Sequence, residues 1–236
     1  DELIPIIRYV HAYCEERFGR AGRCLPVPVD VDSFAYPDLQ LTHPPVLACT
    51  AALDDRRKGG NVLMRAFNRV KLRIPDLILE VWCELPSDVQ DALAGEVEPQ
   101  FRDDVRFMGP GAVEGLREVY GRATATVLPS VWEAFGLVVI ESMAAGTPVV
   151  GTRDGALVET IANDRVGRLF DPGGNGSLAE AINDRGLADA ICDAIALGQE
   201  PETAPACREH ARQYDWDSIG PLYEAIYQRL AAGSRA

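Results

Sequence analysis

Two glutamates with seven residues between them are the first candidates for chemistry in this sequence. Glu133 and Glu141 lie in the stretch WEAFGLVVIESMAAGTPVVGT. Its pattern predicts a helix over 137–145, ended by Gly146, and then a strand over 149–152. The helix is apolar on nearly every side, which is typical of a buried helix. An ionised carboxylate near the middle of such a helix needs a partner, so the sequence predicts a polar partner for Glu141.

A cluster of cations stands before two glycines in the stretch ALDDRRKGG. Arg56, Arg57 and Lys58 lie between a predicted strand and a predicted helix. Cations together with backbone N–H groups at the start of a helix can hold a diphosphate. A solvated turn is the alternative interpretation. The chain is acidic and its only other lysine is Lys71, which makes the cluster more informative.

Two further loops follow later predicted strands. In SVWEAFG, the backbone amides of residues 134–137 can donate to sugar hydroxyls or phosphate oxygens. In TRDGALVET, Gly155 permits close backbone approach, and Glu159 is predicted to be a cap or a solvated residue. The stretch GGNGS is predicted to be a turn with a helix cap. No G-x-G-x-x-G follows the first predicted strand, so a nicotinamide-dinucleotide fold lacks its main support.

The elements that must position these loops alternate between strands and helices. This alternation predicts an α/β fold with a doubly wound, Rossmann-like parallel sheet. Ligands of such sheets bind at the carboxyl ends of the strands, where the loaded loops lie. The predicted strands cover 46–50, 77–83, 105–109, 123–129 and 149–152, with GRLF as an edge strand. The other predicted helices cover 4–18, 61–73, 87–94, 113–121, 157–163, 178–196 and 219–230.

Composition limits the classes of function. The chain has 236 residues and a formal net charge of −13, which argues against nucleic acid or an anionic membrane surface as a partner. No apolar run approaches about 18 residues, so no transmembrane segment is expected. The six cysteines form no CxxC pair, which predicts reduced core residues and a cytoplasmic protein. The three histidines show no metal-ligand spacing, so no metal site is expected.

A longer stretch, LPSVWEAFGLVVIESMAAGTPVVGTRDGALVE, resembles the C-terminal signature of the retaining GT-B glycosyltransferases of family 4, often called group 1. LPVPVDVDSFAYP resembles the interdomain segment of that family, and YDWDSIGPLYEAIY resembles its closing helix. The resemblance implies three parts. Residues 1–40 would be the end of an N-terminal domain and a linker, 41–215 the donor-binding domain, and 216–236 a helix that folds back.

The resemblance also implies roles for single residues. Glu141 would bind the ribose hydroxyls of a nucleoside-diphosphate sugar, and Glu133 would be the catalytic residue beside the transferred sugar. Lys58, with Arg57, would neutralise the diphosphate in place of a metal ion, so neither a metal nor a cofactor is implied. The remaining implied contacts are donor contacts of Phe135, Gly136 and Leu137, and a nucleotide-base segment at Phe107, Met108 and Gly109.

The sequence departs from the family pattern in two loops and in length. Leu53 stands where the family usually has an arginine, so either Arg57 or Arg56 would have to take over its phosphate contact. GALVE replaces the family's GG-x-P-E. Only one of the two GT-B domains is expected in 236 residues. The resemblance therefore implies that the isolated chain is inactive unless an N-terminal domain completes the cleft, in cis or in trans.

Three hypotheses follow. The first is the donor-binding half of a retaining, metal-independent glycosyltransferase, and the second is a non-catalytic GT-B half that binds a nucleotide sugar or a partner chain. The third, a phosphorylase or a nucleotide-sugar epimerase, ranks last because neither Lys58 nor Lys71 lies in a convincing cofactor pocket. The base, whether uridine, guanosine or adenosine, the sugar and the acceptor stay open. Retention rests on the resemblance alone.

Overall fold

The structure is a computed structural model that describes residues 3–20, 22–36, 43–110, 113–174 and 182–233. Six strands form one sheet in which every pair of neighbours is parallel. Four of the six are buried along their whole length, because short apolar runs can be covered by helices on both faces. The strands are β1 Val46–Cys49, β2 Ile78–Val81, β3 Val105–Phe107, β4 Ala125–Leu128, β5 Val149–Thr152 and β6 Gly167–Phe170.

The strand order is β3-β2-β1-β4-β5-β6, which is the doubly wound order of Rossmann-like folds. The chain builds outward from β1 in one direction and then returns to β4, so the order reverses between these two strands. Ala48 of β1 pairs with Glu80 on one side and with Thr126 on the other. The predicted fold class is confirmed, and β6 is the edge strand that GRLF predicted.

Ten α-helices are present among the described residues. The helix α3 packs against α8, and α6 packs against α9 and α5. Apolar side chains of the sheet belong to two buried clusters, the smaller of which contains Ala48, Val119 and Ala123. The helices are α1 Arg8–Phe18, α2 Val31–Phe34, α3 Gly60–Lys71, α4 Ser87–Gly95, α5 Val113–Arg122, α6 Leu137–Ala145, α7 Leu157–Thr160, α8 Asp184–Gly198, α9 Thr203–Ala211 and α10 Trp216–Gly233.

Several helix boundaries differ from the prediction. The helix α1 begins at Arg8 and not at residue 4, because the Pro5 carbonyl accepts a hydrogen bond from Leu25 N and the chain there follows another segment. The helix α9 was not predicted. Its Pro205 lies in the first turn, where the missing N–H costs no helical hydrogen bond. The predicted helix over 178–196 is observed as α8, and residues 175–181, including part of GGNGS, lie outside the described residues.

The segment before β1 lies against the C-terminal helices. Val29 N donates to the Tyr214 carbonyl at 2.8 Å, and the Tyr223 hydroxyl donates to the Leu25 carbonyl at 3.3 Å. No residue of α1 is buried, so the apolar side chains of the helix are not packed into the core. Its Tyr9 is 70% exposed.

The described residues include no helix that combines the length and the apolar character needed to cross a membrane. All six cysteines are free thiols. Cys49, Cys192 and Cys207 are buried, whereas Cys14, Cys24 and Cys83 are partly exposed, so the predicted core position holds for three of the six. Burial raises the pKa of the Cys49 thiol to about 12, so this thiol stays protonated.

Candidate active site

The loop after β1 is held by hydrogen bonds to its backbone and contacts the loop after β4. The side chain of Asp55 accepts a hydrogen bond from Arg57 N at 2.9 Å and caps a short 3-10 helix, Arg56–Lys58. Gly59 has a φ of 73°, and a Cβ there would lie 2.5 Å from the Pro129 carbonyl oxygen. Glycine is therefore needed at this position both for the left-handed backbone and for the close approach.

This approach brings the predicted diphosphate cation to the predicted catalytic carboxylate. Lys58 Nζ lies 2.8 Å from Glu133 Oε2, and the two side chains are 27% and 14% exposed. The two loops are joined a second time by Val131 N, which donates to the Arg57 carbonyl at 2.8 Å. The loops after β1 and β4, which the sequence placed at the carboxyl ends of the strands, thus contact each other through Lys58 and Glu133.

Arg57, which precedes Lys58 in this loop, has a different partner. The guanidinium of Arg57 lies on the carboxylate of Asp55, with Nη2 2.6 Å from Oδ2. Hydrogen bonds from Arg57 hold the pKa of Asp55 below its usual range. Arg57 is directed at this neighbouring carboxylate and not at Glu133. Leu53, which stands where an arginine was expected from the resemblance, is buried in the core.

The backbone around Glu133 is held from the loop after β5. Ala156 N donates to the Glu133 carbonyl at 3.0 Å, and a Cβ at Gly155 would lie 2.8 Å from the same oxygen. Trp132 has a φ of 56°, which a tryptophan rarely adopts, and its N–H donates to Asp154 Oδ2 at 2.6 Å. The close backbone approach that the sequence assigned to Gly155 is therefore observed, and it is made to Glu133.

Glu141 lies on α6, and its partner within the protein is Tyr120. The Tyr120 hydroxyl donates to Glu141 Oε2 at 3.1 Å and lies 3.2 Å from Thr50 Oγ1. Burial raises the pKa of Glu141, and the bond from Tyr120 opposes that rise. Tyr120 is fully buried on α5 and its ring packs against Phe34. Burial also raises the pKa of Tyr120, which keeps its hydroxyl a donor.

The sequence did not predict Tyr120 as a site residue. The signal was a phenol on an otherwise packed helix face, because a buried Tyr O–H normally finds a hydrogen-bond partner. The prediction that α6 is buried all round was also too strong, since Leu137 is exposed and Glu141 is only half-buried. The open side of α6 is the side that carries Glu141.

The first turn of α6 carries no side-chain cap. Gly136 occupies the N-cap position with a φ of 79° and offers no side-chain acceptor. Uncapped N–H groups at a helix start favour anions. Phe135 is buried just before this turn and packs against Tyr214. The ring of Phe135 therefore belongs to the core, Gly136 is buried, and Leu137 is exposed.

The predicted base segment follows β3, at the same edge of the sheet. Met108 is exposed and its N–H donates to the Val81 carbonyl at 2.9 Å. Gly109, two residues after the end of β3, has a φ of 76°, while Phe107, the last residue of the strand, is half-buried. Because β2 separates β3 from β1, the structure does not bring this segment to the Lys58–Glu133 pair but places it two strands away.

Glu159 is a cap, as the sequence predicted, but the helix it caps is α1. Its carboxylate oxygens accept hydrogen bonds from Arg8 N at 2.9 and 3.2 Å. This contact ties the start of α1 to the loop after β5. Between α1 and the loop after β4 lies a cleft of about 530 Å³, lined by Ile7, Tyr9, Val10, Trp132, Glu133, Ala134, Asp154 and Gly155.

Comparison with known proteins decides the family. The family model of the glycosyl transferases group 1 matches residues 44–189. The chain belongs to this family. The D-inositol 3-phosphate glycosyltransferase of Corynebacterium kroppenstedtii is 34% identical over 192 residues, which are 79% of this chain and 41% of that protein. The enzyme of the same name from Corynebacterium diphtheriae is 30% identical over 88% of this chain and 45% of its own length. The chain thus spans less than half of these relatives.

Solved structures of other glycosyltransferases share the fold of this chain. Sucrose-phosphate synthase from Thermosynechococcus elongatus superposes with a TM-score of 0.77 at 27% identity, covering 98% of this chain and 58% of that one. A pneumococcal O-GlcNAc transferase, solved with UDP and GlcNAc, superposes with a TM-score of 0.79 at 17% identity, covering 98% and 45%. The predicted family and the predicted Rossmann-like half of a GT-B fold are confirmed.

Proposed function

We propose that this chain is the donor-binding half of a glycosyltransferase that takes a nucleoside-diphosphate sugar, needs no metal ion and retains the anomeric configuration. The observation that carries the proposal is the contact between Lys58 and Glu133 beside the uncapped start of α6. This contact joins the loops after β1 and β4, where the strand order reverses. Open α/β sheets bind their ligands at this reversal point.

The diphosphate would lie on Lys58 and on the backbone amides at the start of α6. A lysine supplies the positive charge that the leaving diphosphate needs, and a helix N-terminus adds N–H donors. Lys58 must turn from Glu133 toward the ligand, and its partial exposure leaves room for this movement. Arg57 is the second cation within reach, and we rank its contribution below that of Lys58 because Asp55 holds it.

The ribose would lie on Glu141. A carboxylate only accepts hydrogen bonds, and two oxygens offer more acceptor positions than the one that the Tyr120 hydroxyl uses. Hydrogen bonds from two ribose hydroxyls to an ionised carboxylate would contribute about 1.5–3 kcal/mol each. Tyr120 would hold the carboxylate in one orientation and oppose the rise of its pKa that burial causes. The base would extend toward the segment 107–109.

The transferred sugar would lie at Glu133. Once the diphosphate draws Lys58 away, Glu133 would bind sugar hydroxyls or stabilise positive charge at the anomeric carbon. Backbone groups of residues 135–137 would contact the same sugar. Transfer to an acceptor needs the opposite wall of the cleft, and we propose that an N-terminal GT-B domain supplies it in cis or in trans. Retention and metal independence come from the family resemblance.

A second candidate function is a GT-B half that binds a nucleotide sugar or a partner chain without catalysis. The observation that favours it is the loss of one cation from the diphosphate loop. Leu53 is buried where an arginine was expected, and Arg57 is engaged by Asp55. Sugar transfer by this chain together with an N-terminal domain would decide for the enzyme, and donor binding without turnover would decide for the second candidate.

Calorimetric titration with UDP-, GDP- and ADP-sugars, first without metal and then with magnesium, tests the proposal. We expect one nucleotide to bind without metal. Glu141→Ala should weaken its binding by about tenfold or more, from the loss of at least one charge-assisted hydrogen bond. Glu118→Ala, on an exposed position of α5, is the matched control and should leave binding unchanged. Equal affinity of the Glu141→Ala variant, or no binding of any nucleotide sugar, would contradict the proposal.

A further inference from the structure

We propose that Trp132 and Tyr9 form an aromatic platform that binds an acceptor, and that this acceptor is an uncharged sugar or polyol. The proposal rests on the proposed function, because it uses Glu133 as the boundary between donor and acceptor. It adds the chemical class of the acceptor and the side chains that would select it.

The platform lies in the cleft between α1 and the loop after β4. Glu133 lines this cleft, whereas Lys58 does not. Glu133 thus faces the cleft and contacts the proposed diphosphate cation through Oε2. A molecule in the cleft would meet the transferred sugar at Glu133, which is where an acceptor hydroxyl has to arrive.

Trp132 is presented to this cleft by a backbone that its neighbours impose. Its φ of 56° is an unusual conformation for a bulky residue, and Asp154 holds it through the bond to Trp132 N. The indole is 53% exposed although large apolar side chains are usually covered. Residues in rare backbone conformations cluster at ligand sites, where the surrounding structure maintains the strain.

Tyr9 is held on the opposite wall in a similar way. Glu159 accepts hydrogen bonds from Arg8 N, which fixes the first turn of α1 and with it the position of Tyr9 and Val10. Tyr9 is also exposed. Two aromatic side chains on separate elements therefore face one cleft, and each element is anchored by a carboxylate.

The lining of the cleft indicates what would bind there. Aromatic faces pack against the C–H faces of sugar rings, and the carboxylates of Glu133 and Asp154 accept hydrogen bonds from hydroxyls. No lysine, arginine or histidine is among the described residues that line the cleft. The nearby Arg8 lines the neighbouring cavity, with its Nε 3.8 Å from Glu159 Oε2. A phosphorylated acceptor would meet two carboxylates with no cation in the lining, so an uncharged acceptor fits this surface better.

NMR of the tryptophan indole N–H groups tests the proposal, with glucose and glucose 6-phosphate as a matched pair of probes. Each titration is made with the whole chain, with and without saturating nucleotide. We expect glucose to shift the Trp132 signal in a saturable way and to leave the Trp216 signal unchanged. Trp216 is a matched control because it is 56% exposed and lies on α10. Glucose 6-phosphate should bind no more tightly than glucose.

Variants separate this proposal from the proposed function. The variants lack the Trp132 indole, so their glucose affinity is measured by calorimetry, as is that of the unmodified chain. Trp132→Ala should weaken glucose binding by about tenfold, whereas Trp132→Phe should retain most of it, and both should bind the nucleotide sugar within about twofold of the unmodified chain. Preserved nucleotide binding also shows that the variants are folded. If neither the unmodified chain nor any variant bound a nucleotide sugar, the proposed function would be contradicted. Glucose binding could still be measured in that case, from the Trp132 signal of the unmodified chain.

Three outcomes would overturn the platform. The first is a Trp132 signal that glucose does not move at any accessible concentration, with and without nucleotide. The second is unchanged glucose affinity in Trp132→Ala. The third is tighter binding of glucose 6-phosphate than of glucose, which would replace the uncharged acceptor by a phosphorylated one.

Discussion

Glu133 and Glu141 lie eight positions apart, yet the partner of the first is a cation and the partner of the second is a neutral phenol. Glu133 is on a loop whose backbone is fixed by Gly155 and Ala156. Glu141 is on a helix, and its own side chain is oriented by Tyr120. The first carboxylate therefore has a fixed backbone and an exchangeable partner, whereas the second has a partner that can stay in place.

This difference predicts two kinds of response to a ligand. A diphosphate would compete directly for Lys58 and release Glu133, because an ammonium group with 27% exposure can turn toward a new anion. A ribose would add hydrogen bonds to Glu141 without displacing the Tyr120 hydroxyl. The loop carboxylate would then be the one that changes during a reaction cycle, and the helix carboxylate the one that stays.

The largest expected effect is at the exchangeable pair. Lys58→Ala should weaken nucleotide-sugar binding by about 10- to 150-fold, the equivalent of one charge-assisted hydrogen bond of about 1.5–3 kcal/mol. Arg57→Ala is the control, and it should cost less than about threefold because an exposed ion pair contributes little. Calorimetry without metal measures both affinities. A larger loss in Arg57→Ala than in Lys58→Ala would assign the diphosphate to the arginine.

The backbone position of Glu133 can be tested by a substitution in the neighbouring loop after β5. Gly155→Ala would place a Cβ against the Glu133 carbonyl oxygen, at a φ of 54°. We expect the free energy of unfolding to fall by about 1–2 kcal/mol, from the left-handed backbone alone. Gly115→Ala, on α5 with open space around its Cβ, should instead be neutral or stabilise by about 0.5–1 kcal/mol. Chemical denaturation measures the two variants, and equal stabilities would show that Gly155 does not constrain the loop.

The hydroxyl of Tyr120, which orients Glu141, can be removed by a substitution that deletes one oxygen atom. Tyr120→Phe deletes the hydroxyl that donates to Glu141, which should cost about 1 kcal/mol of stability and about fivefold in nucleotide-sugar affinity. Tyr223→Phe is the control, since that hydroxyl donates to the Leu25 carbonyl and not to a candidate site residue. Thermal unfolding and calorimetry measure the two effects. An unchanged affinity in Tyr120→Phe would show that Glu141 needs no orienting donor.

The smallest effect is a shift of pH dependence. Burial raises the pKa of Glu141, so folding shifts this carboxyl toward its protonated form relative to the unfolded chain. Its contribution to stability is present below the ordinary glutamate pKa and is lost as pH rises through the raised pKa. Nucleotide-sugar affinity should run the other way, because ribose hydroxyls donate to the ionised form. Affinity should therefore fall on acidification at a higher pH than an ordinary glutamate would give.

Two variants sharpen this test. The bond from Tyr120 lowers the pKa of Glu141, so Tyr120→Phe should move the midpoint of the affinity profile to higher pH. Glu141→Gln should give a weaker and flatter profile, since it has no proton to gain. Calorimetry at a series of pH values checks both. The same midpoint in Glu141→Gln and in the unmodified chain would assign the titration to another group.

Much of the fold could be read from the sequence because local signals agreed with the tertiary structure. The helix over 137–145 and the strand over 149–152 have the predicted bounds, since Gly146 ends the helix with a φ of 102°. The position of the loops after β1 and β4 at one end of the sheet also followed, because the carboxyl ends of parallel strands meet there. The contact between Lys58 and Glu133 was not predicted.

The rest depended on contacts that a pattern does not carry. Tyr120 is 21 residues before Glu141, and only the packing of α5 on α6 brings them together. In the sequence, Arg57 and Lys58 are adjacent cations of one loop. In the structure, Arg57 pairs with Asp55. The start of α1 depended on the bond between Pro5 and Leu25, which no local propensity shows. In each case the local sequence allows several arrangements, and tertiary contacts decide which one forms.

The proposed exchange of Glu133 for a diphosphate at Lys58 can be tested directly, because the chain has two lysines. NMR of side-chain-labelled lysine would follow both during a titration with nucleotide sugar in the absence of metal. Lys71 is the internal control, because it is 3% exposed and paired with Asp104. We expect a saturable shift of the Lys58 signal and a constant Lys71 signal. A Lys58 signal that stays in place when the nucleotide sugar binds, or moves only after magnesium is added, would contradict it.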